Sequence, residues 1–265
     1  MNSPDSPDSP DSLDSPDSLG SQDCFLAGIH IHNLTQQETI DKIGKLITDG
    51  DAHFMAVVNA AKIVAATKDS ELRDILQRAD IVTADGMSVV WASRYLRQPL
   101  KERVTGIDTF ARLVAYATER NLSVYFFGAR QESVAEVVRV FQLQYPNLRI
   151  AGYRNGYFAE AETNAIVAEI KRSNADLLFV AMGSPAQERW IADNLKATGA
   201  KFALGVGGSF DHLSGRVRRA PRWLQRLGLE WLHRLALEPR RLWRRYLIGN
   251  TAFIRLILKE GKSKK

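Results

Sequence analysis

A chain of 265 residues with 45% hydrophobic and 25% charged content can bury one sizeable core, and its formal charge of +6 conceals a steep asymmetry. Residues 1–23 hold six Asp and no base, residues 24–215 hold twenty-one charges of each sign, and residues 216–265 hold fifteen Lys/Arg against three Asp/Glu. The single cysteine, Cys24, excludes an intramolecular disulfide framework and a Cys-rich zinc site, and no apolar run approaches the ~20 residues of a membrane span.

With no basic segment followed by an apolar one at the N-terminus, the protein is expected to be neither exported nor transmembrane. Residues 3–19 are near-repeats of Ser-Pro-Asp, acidic and almost free of apolar groups, so residues 1–23 are expected to form a disordered tail. Cys24 is expected to be a small hydrophobe near the surface. His30 and His32 flank one residue with no third ligand of obvious spacing, which favours a structural role. Asp49-Gly50-Asp51 matches the D-x-D pattern that can hold a metal on a nucleotide diphosphate. It precedes a strand instead of following one, and a polar turn is the expected reading.

From Phe54 onward, short apolar runs alternate with helix-period segments. Residues 54–58, 81–84, 124–127, 177–182 and 202–206 are predicted strands, and residues near 60–78, 86–97, 107–120, 131–144, 160–173 and 185–198 predicted helices. Such alternation predicts an α/β, Rossmann-like, mostly parallel sheet with helices on both faces, here over residues 24–215. Ligands of these sheets bind beyond the carboxyl ends of the strands. That rule nominates Asn59, Asp85, Gly86, Gly128, Gly183 and the run Gly205-Val206-Gly207-Gly208.

Gly205, Gly207 and Gly208 would let backbone approach a phosphate, but Phe210 breaks the dinucleotide fingerprint, and no G-x-x-x-x-G-K-[ST] loop exists. A nicotinamide-dependent oxidoreductase is therefore excluded. Asp85 follows Thr83-Ala84 and precedes an amphipathic helix, so it is either that helix's N-cap or a general base facing the cleft.

Residues 216–265 read as a basic helical appendage. A first helix, residues 221–238 ended by Pro239, carries Arg234 within the apolar stripe Trp223, Leu227, Trp231, Leu235, so Arg234 either pairs with Glu238 or meets a substrate phosphate. A second, residues 240–258, gathers Leu242, Trp243, Tyr246, Leu247, Phe253, Ile254 and Ile257 opposite its arginines and Lys259, a pattern suited to the plane of an anionic membrane. Nucleic acid is disfavoured, since a phosphate-tracking helix has no use for that apolar arc.

Five motifs in order resemble the WecG/TagA/CpsF family of bacterial glycosyltransferases over residues 24–258: Thr83-Ala84-Asp85-Gly86-Met87, Glu102 to Gly106, Gly183 to Glu188, Gly205 to Asp211, and Ala220 to Trp231. The resemblance implies inverting, metal-independent transfer of an N-acetylmannosamine-type sugar or uronic acid. The donor would be a UDP-sugar and the acceptor an undecaprenyl-diphosphate-linked sugar, in cell-envelope polysaccharide synthesis, with no cofactor. It assigns Asp85 as base, Asn59, Arg103 and Gln187 to the pocket, and Gly207, Gly208 and Asp211 to the nucleotide side. Arg234, Arg241 and Arg244 would complete the site from the appendage. The chain departs from the family in having Val57 where Thr is common, and in the Ser-Pro-Asp repeat.

These readings together predict a peripheral enzyme on the inner face of the cytoplasmic membrane, with self-association left open. A non-catalytic nucleotide-binding module docked to anionic membranes is the alternative.

Overall fold

The computed structural model describes residues 22–217, 220–221, 223–224, 229–237, 239–243 and 249–263, without the side chains of Arg234, Arg241, Leu242 and Ser263. Six strands form one parallel sheet: β3 (His53–Val58), β4 (Ile81–Ala84), β5 (Ser123–Gly128), β6 (Arg149–Arg154), β7 (Leu177–Ala181) and β8 (Phe202–Gly205), in the order β4-β3-β8-β7-β5-β6. All five pairings are parallel. A short antiparallel hairpin, β1 (Cys24–Leu26) and β2 (Ile29–Ile31), precedes them and joins β4 through the His32 amide, which donates to Val82 O at 2.8 Å.

Side chains alternate across the sheet, as period-two geometry requires. From β5, Val124 and Phe126 enter a core shared with α1 (Gln36–Leu46), α5 (Gly106–Glu119) and α6 (Gln131–Gln144), while Tyr125 and Phe127 face α7 (Thr163–Ser173) and α8 (Ala186–Thr198). Ala56 and Val58 of β3 point instead into a third cluster with α2 (Ala60–Ala66), α3 (Ser70–Arg78) and α4 (Met87–Tyr95). The interior strands, covered on both faces, are accordingly mostly apolar.

All five predicted strands are present. The predicted helix over 60–78 is two, because Asp69 caps the amide of Leu72 and starts α3 after the first helix stops at Ala66. Edge strand β6 and the hairpin went unpredicted: β6 is half-exposed, with Gly152 and flanking arginines, and lacks an apolar run. Helix α1, also unpredicted, starts with a capping box between Thr35 and Glu38. Cys24 is fully buried in β1, not near the surface. The Ser-Pro-Asp tail through residue 21 lies outside the described residues.

At the C-terminal side, α9 (Ser209–Leu213) is followed by α10 (Glu230–Leu237), α11 (Pro239–Trp243) and α12 (Gly249–Ser263). Pro239 is thus the first residue of α11, a position where its missing N–H costs nothing. The helix predicted over 240–258 falls partly on residues 244–248, which are not described. Helix α12 runs on to Ser263 and packs against α2, burying Phe253 and Ile257 in the α2–α4 cluster. Glu260 of α12 also accepts from the Ala27 amide at 2.9 Å, so the last helix is tied to the first hairpin.

Candidate active site

Beyond the carboxyl ends of β3 and β4 lies a cavity of about 450 Å³, whose lining includes Asn59, Asp85, Gly86, Arg103 and Glu230. Four of the nominated residues, Asn59, Asp85, Gly86 and Arg103, therefore meet in one place. The parallel sheet gathers the first three, since adjacent strands β3 and β4 end at the same level and hand their next residues to the cleft, while Arg103 enters from the loop before α5.

Asp85 does not cap the helix it precedes. The N-cap of α4 is Gly86, which makes no side-chain cap bond, and Asp85 Oδ1 instead accepts from the Gly106 amide, the first of α5, at 3.2 Å. The carboxylate is thereby oriented by one helix N-terminus while standing beside another. Among the described residues its Oδ2 has no hydrogen-bond partner, and it lines the cavity. Asn59 caps α2 through its side-chain oxygen, which accepts from the Lys62 amide at 3.1 Å. Among the described residues its Nδ2 donates to nothing and is available to a ligand. Arg103 Nη1 lies 3.4 Å from Glu230 Oε2, a loose pair of mostly buried groups that joins the core to α10.

Gln187 is not in this cavity. It is buried, accepts from the Gly207 amide at 2.9 Å and donates to Glu188 Oε1 at 2.9 Å. Glu188 also accepts from Lys62 Nζ at 2.7 Å in an ion pair buried on both sides. Burial opposes the charge on Glu188, yet Lys62 and these hydrogen bonds hold its carboxyl below the ordinary carboxylate range. A chain of contacts thus runs from the glycine loop through Gln187 and Glu188 to α2, whose cap is Asn59. Gly205 is required here, because a Cβ on it would lie 2.5 Å from Gln187 Nε2.

The remaining nominees sit along the other strand ends. Gly207 has φ +54 and Gly208 starts α9, while Phe210, which broke the fingerprint, is buried against Phe110 and Phe126 and anchors the loop. Asp211 accepts from Ser133 Oγ at 2.9 Å, fastening α9 to α6. Gly128 (φ +129) lies where a Cβ would come within 2.4 Å of Ala181 O, so its role is close approach of β5 to β7. Gly183 also has positive φ. The side chains of Arg234 and Arg241, all of Arg244, and Glu238 lie outside the described residues. Val57 is buried beneath Gly106 and does not line the cavity.

The two motifs expected to be structural, Asp49-Gly50-Asp51 and the histidine pair, do not line the cavity. Asp49 Oδ1 accepts from the Asp51 amide at 3.0 Å and meets His53 Nε2 at 2.8 Å, in a turn at the amino end of β3, opposite the cavity. Asp23, His30 and His32 bring their ligand atoms within 4.8 Å of one another. His32 Nδ1, however, accepts from the Val82 amide at 3.0 Å, which puts its proton on Nε2 and removes it as a ligand. Burial, with Lys42 and His30 nearby, pushes its pKa down to about 4.

The profile of the glycosyl transferase WecG/TagA/CpsF family matches residues 24–265. The chain belongs to this family. An N-acetylglucosaminyldiphosphoundecaprenol N-acetyl-beta-D-mannosaminyltransferase of Bacillus subtilis (strain 168) is 36% identical over 211 residues, 80% of this chain and 81% of that protein. The protein of the same name from Bacillus spizizenii (strain ATCC 23059 / NRRL B-14472 / W23) is 33% identical over 210 residues, 79% and 80% of the two chains. Among the described residues no helix is long and apolar enough to cross a membrane.

What the sequence did not single out is Glu230 as the partner of Arg103, the Lys62–Glu188 pair, and the aromatic residues Trp91 and Tyr95 of α4 at the cavity. The last two were legible as an i,i+4 aromatic pair on the helix that starts beside Asp85. Lys62 was visible as a cation one turn after the cleft Asn, within an otherwise apolar helix.

Proposed function

We propose that this protein is a metal-independent, inverting glycosyltransferase that moves an N-acetylmannosamine-type sugar from UDP to a sugar carried on a polyprenyl diphosphate. The observation that carries the reading is Asp85: a carboxylate fixed on one oxygen by the α5 amide, its other oxygen unengaged, inside a cavity shared with Asn59 and Arg103. In a single displacement, the acceptor hydroxyl oxygen attacks the anomeric carbon from the face opposite UDP, and its proton passes to Asp85 Oδ2. The bond from the anomeric carbon to the diphosphate oxygen breaks, and UDP departs with the electron pair. Arg103, joined by the appendage arginines Arg234, Arg241 and Arg244, balances the charge that develops on the leaving group. Asn59 Nδ2 orients the acceptor sugar, and the loop at Gly207 and Gly208 receives the nucleotide.

The acceptor's lipid keeps the reaction at a membrane surface. The exposed basic residues Arg255, Lys259 and Lys262 of α12 support peripheral attachment to an anionic leaflet, on the cytoplasmic side where UDP-sugars are made. The test is UDP release on mixing UDP-N-acetylmannosamine with an N-acetylglucosaminyl-diphosphate lipid. Turnover that requires both substrates is expected; UDP-sugar binding with no release under any acceptor would leave a nucleotide-binding module instead.

A further inference from the structure

The same cavity has an apolar lining as well. Trp91 and Tyr95 of α4 are 50% and 51% exposed, and Ile254 and Leu258 of α12 are 56% and 45% exposed; all four line the cavity that ends at Asp85. The spacing is i,i+4 on each helix, so each pair forms a stripe one above the other. The stripes belong to neighbouring walls. Gly261, one turn beyond Leu258, lies so close to Tyr95 that a Cβ there would fall 2.7 Å from the ring. Two helices that approach each other at Gly261 and Tyr95 thus each contribute apolar side chains to a cavity that also holds Asp85 and Arg103.

We propose that this apolar lining binds the first isoprene units of the acceptor, so that the enzyme itself, and not only the bilayer, recognises the lipid. This rests on the acceptor class proposed above. An acceptor whose sugar hydroxyl reaches Asp85 carries its diphosphate away from that carboxylate and its hydrocarbon further outward. One cavity offers each of these chemistries: a carboxylate and an amide, a guanidinium, and tryptophan, tyrosine and aliphatic side chains. A ligand made of sugar alone would leave the aliphatic side chains of Ile254 and Leu258 uncovered. Large apolar side chains left half-exposed beside a catalytic carboxylate are what a ligand with a hydrocarbon segment would cover.

The test compares two water-soluble acceptors, N-acetylglucosaminyl diphosphate esterified to ethyl or to a two-isoprene chain, below their micelle concentrations and without vesicles or detergent. In the full-length protein kcat/KM, read by UDP release, should favour the prenyl acceptor by at least about tenfold, the least expected when several carbons enter an apolar site. Ile254→Ser and Leu258→Ser, at positions exposed enough to spare the fold, should each shrink that ratio at least about threefold. Equal kcat/KM for both acceptors in the wild type, or an undiminished ratio in both variants, overturns the proposal. So does a rise in donor KM in Trp91→Ala with the ratio intact, which would give the apolar lining to the donor's base. If no acceptor turns over, the proposed activity fails, and calorimetry with geranyl diphosphate still decides what the lining binds. Binding that the serine variants weaken supports it, and no binding to the wild type overturns it.

Discussion

Replacing Asp85 by Asn separates the chemistry of that residue from its architecture. The side-chain oxygen that accepts from the Gly106 amide at 3.2 Å survives in Asn, so the start of α5 stays anchored. What disappears is the oxygen able to take a proton, and losing a general base costs about 100-fold to 10,000-fold in turnover. The lower figure corresponds to about 2.7 kcal/mol of transition-state free energy. Asp85→Ala removes both functions, and the orphaned Gly106 amide adds a stability loss of about 1–3 kcal/mol. The expected pattern is therefore a kcat lowered at least about 100-fold in Asp85→Asn with wild-type Tm and donor Kd, against lowered kcat and lowered Tm in Asp85→Ala. Steady-state UDP release, calorimetric donor titration and thermal melting read the three quantities. Near wild-type turnover in Asp85→Asn would reduce Asp85 to an anchor for α5 and remove the base from the mechanism.

Lys62→Met leaves Glu188 charged and uncompensated in the core and should destabilise the fold by about 3–5 kcal/mol, by denaturant melting, whereas Lys62→Met combined with Glu188→Met should recover most of the loss. Burial works against charge on His53, but its hydrogen bonds to Asp80 and Asp49, both 2.8 Å, outweigh it and raise its pKa above 6.5. Its stabilisation is thus complete below pH ~6.5 and lost as pH climbs through the folded value, so the Tm gap between wild type and His53→Gln should narrow from pH 6 to pH 9. A gap that widens with pH would refute the pairing. Transfer should persist in EDTA; collapse of activity with rescue by Mg²⁺ or Mn²⁺ would refute the account in which arginines alone balance the leaving group.

The sheet was legible because its interior strands are continuous apolar runs ending in small or polar residues, and the rule that ligands meet the carboxyl edge then nominated Asn59, Asp85 and Gly86 without any contact information. Arg103 came from the family resemblance alone; it follows no strand. Gln187 shows the limit of that resemblance. A motif can mark a residue as invariant in kind without saying whether it faces a ligand, and this one is buried, holding the glycine loop to Glu188. Strand β6 escaped because an edge strand is half wet and needs no apolar pattern.

The helical wheel of the last helix was read in the right residues but as a single surface. Phe253 and Ile257 fall on the same arc as Ile254, yet α12 turns the first two into the core against α2 and leaves Ile254 at the cavity. A wheel shows which residues share a side of a helix; it does not show that two neighbours, about 100° apart, meet different surroundings. The consequence is testable by ending the chain at Ala220. Were residues 221–265 only a membrane tether, the truncated protein would lose vesicle binding and keep its melting temperature. Because two buried side chains and the Glu260 bond to the Ala27 amide go with them, the truncated protein should melt well below the full chain. Removing one buried Phe or Ile typically costs about 2–5 kcal/mol, and near this chain length each kcal/mol lowers Tm by about 2–4 °C. An unchanged Tm would show that α12 rests on the domain without supporting it, and would return the cavity wall it forms to the status of a detachable cover.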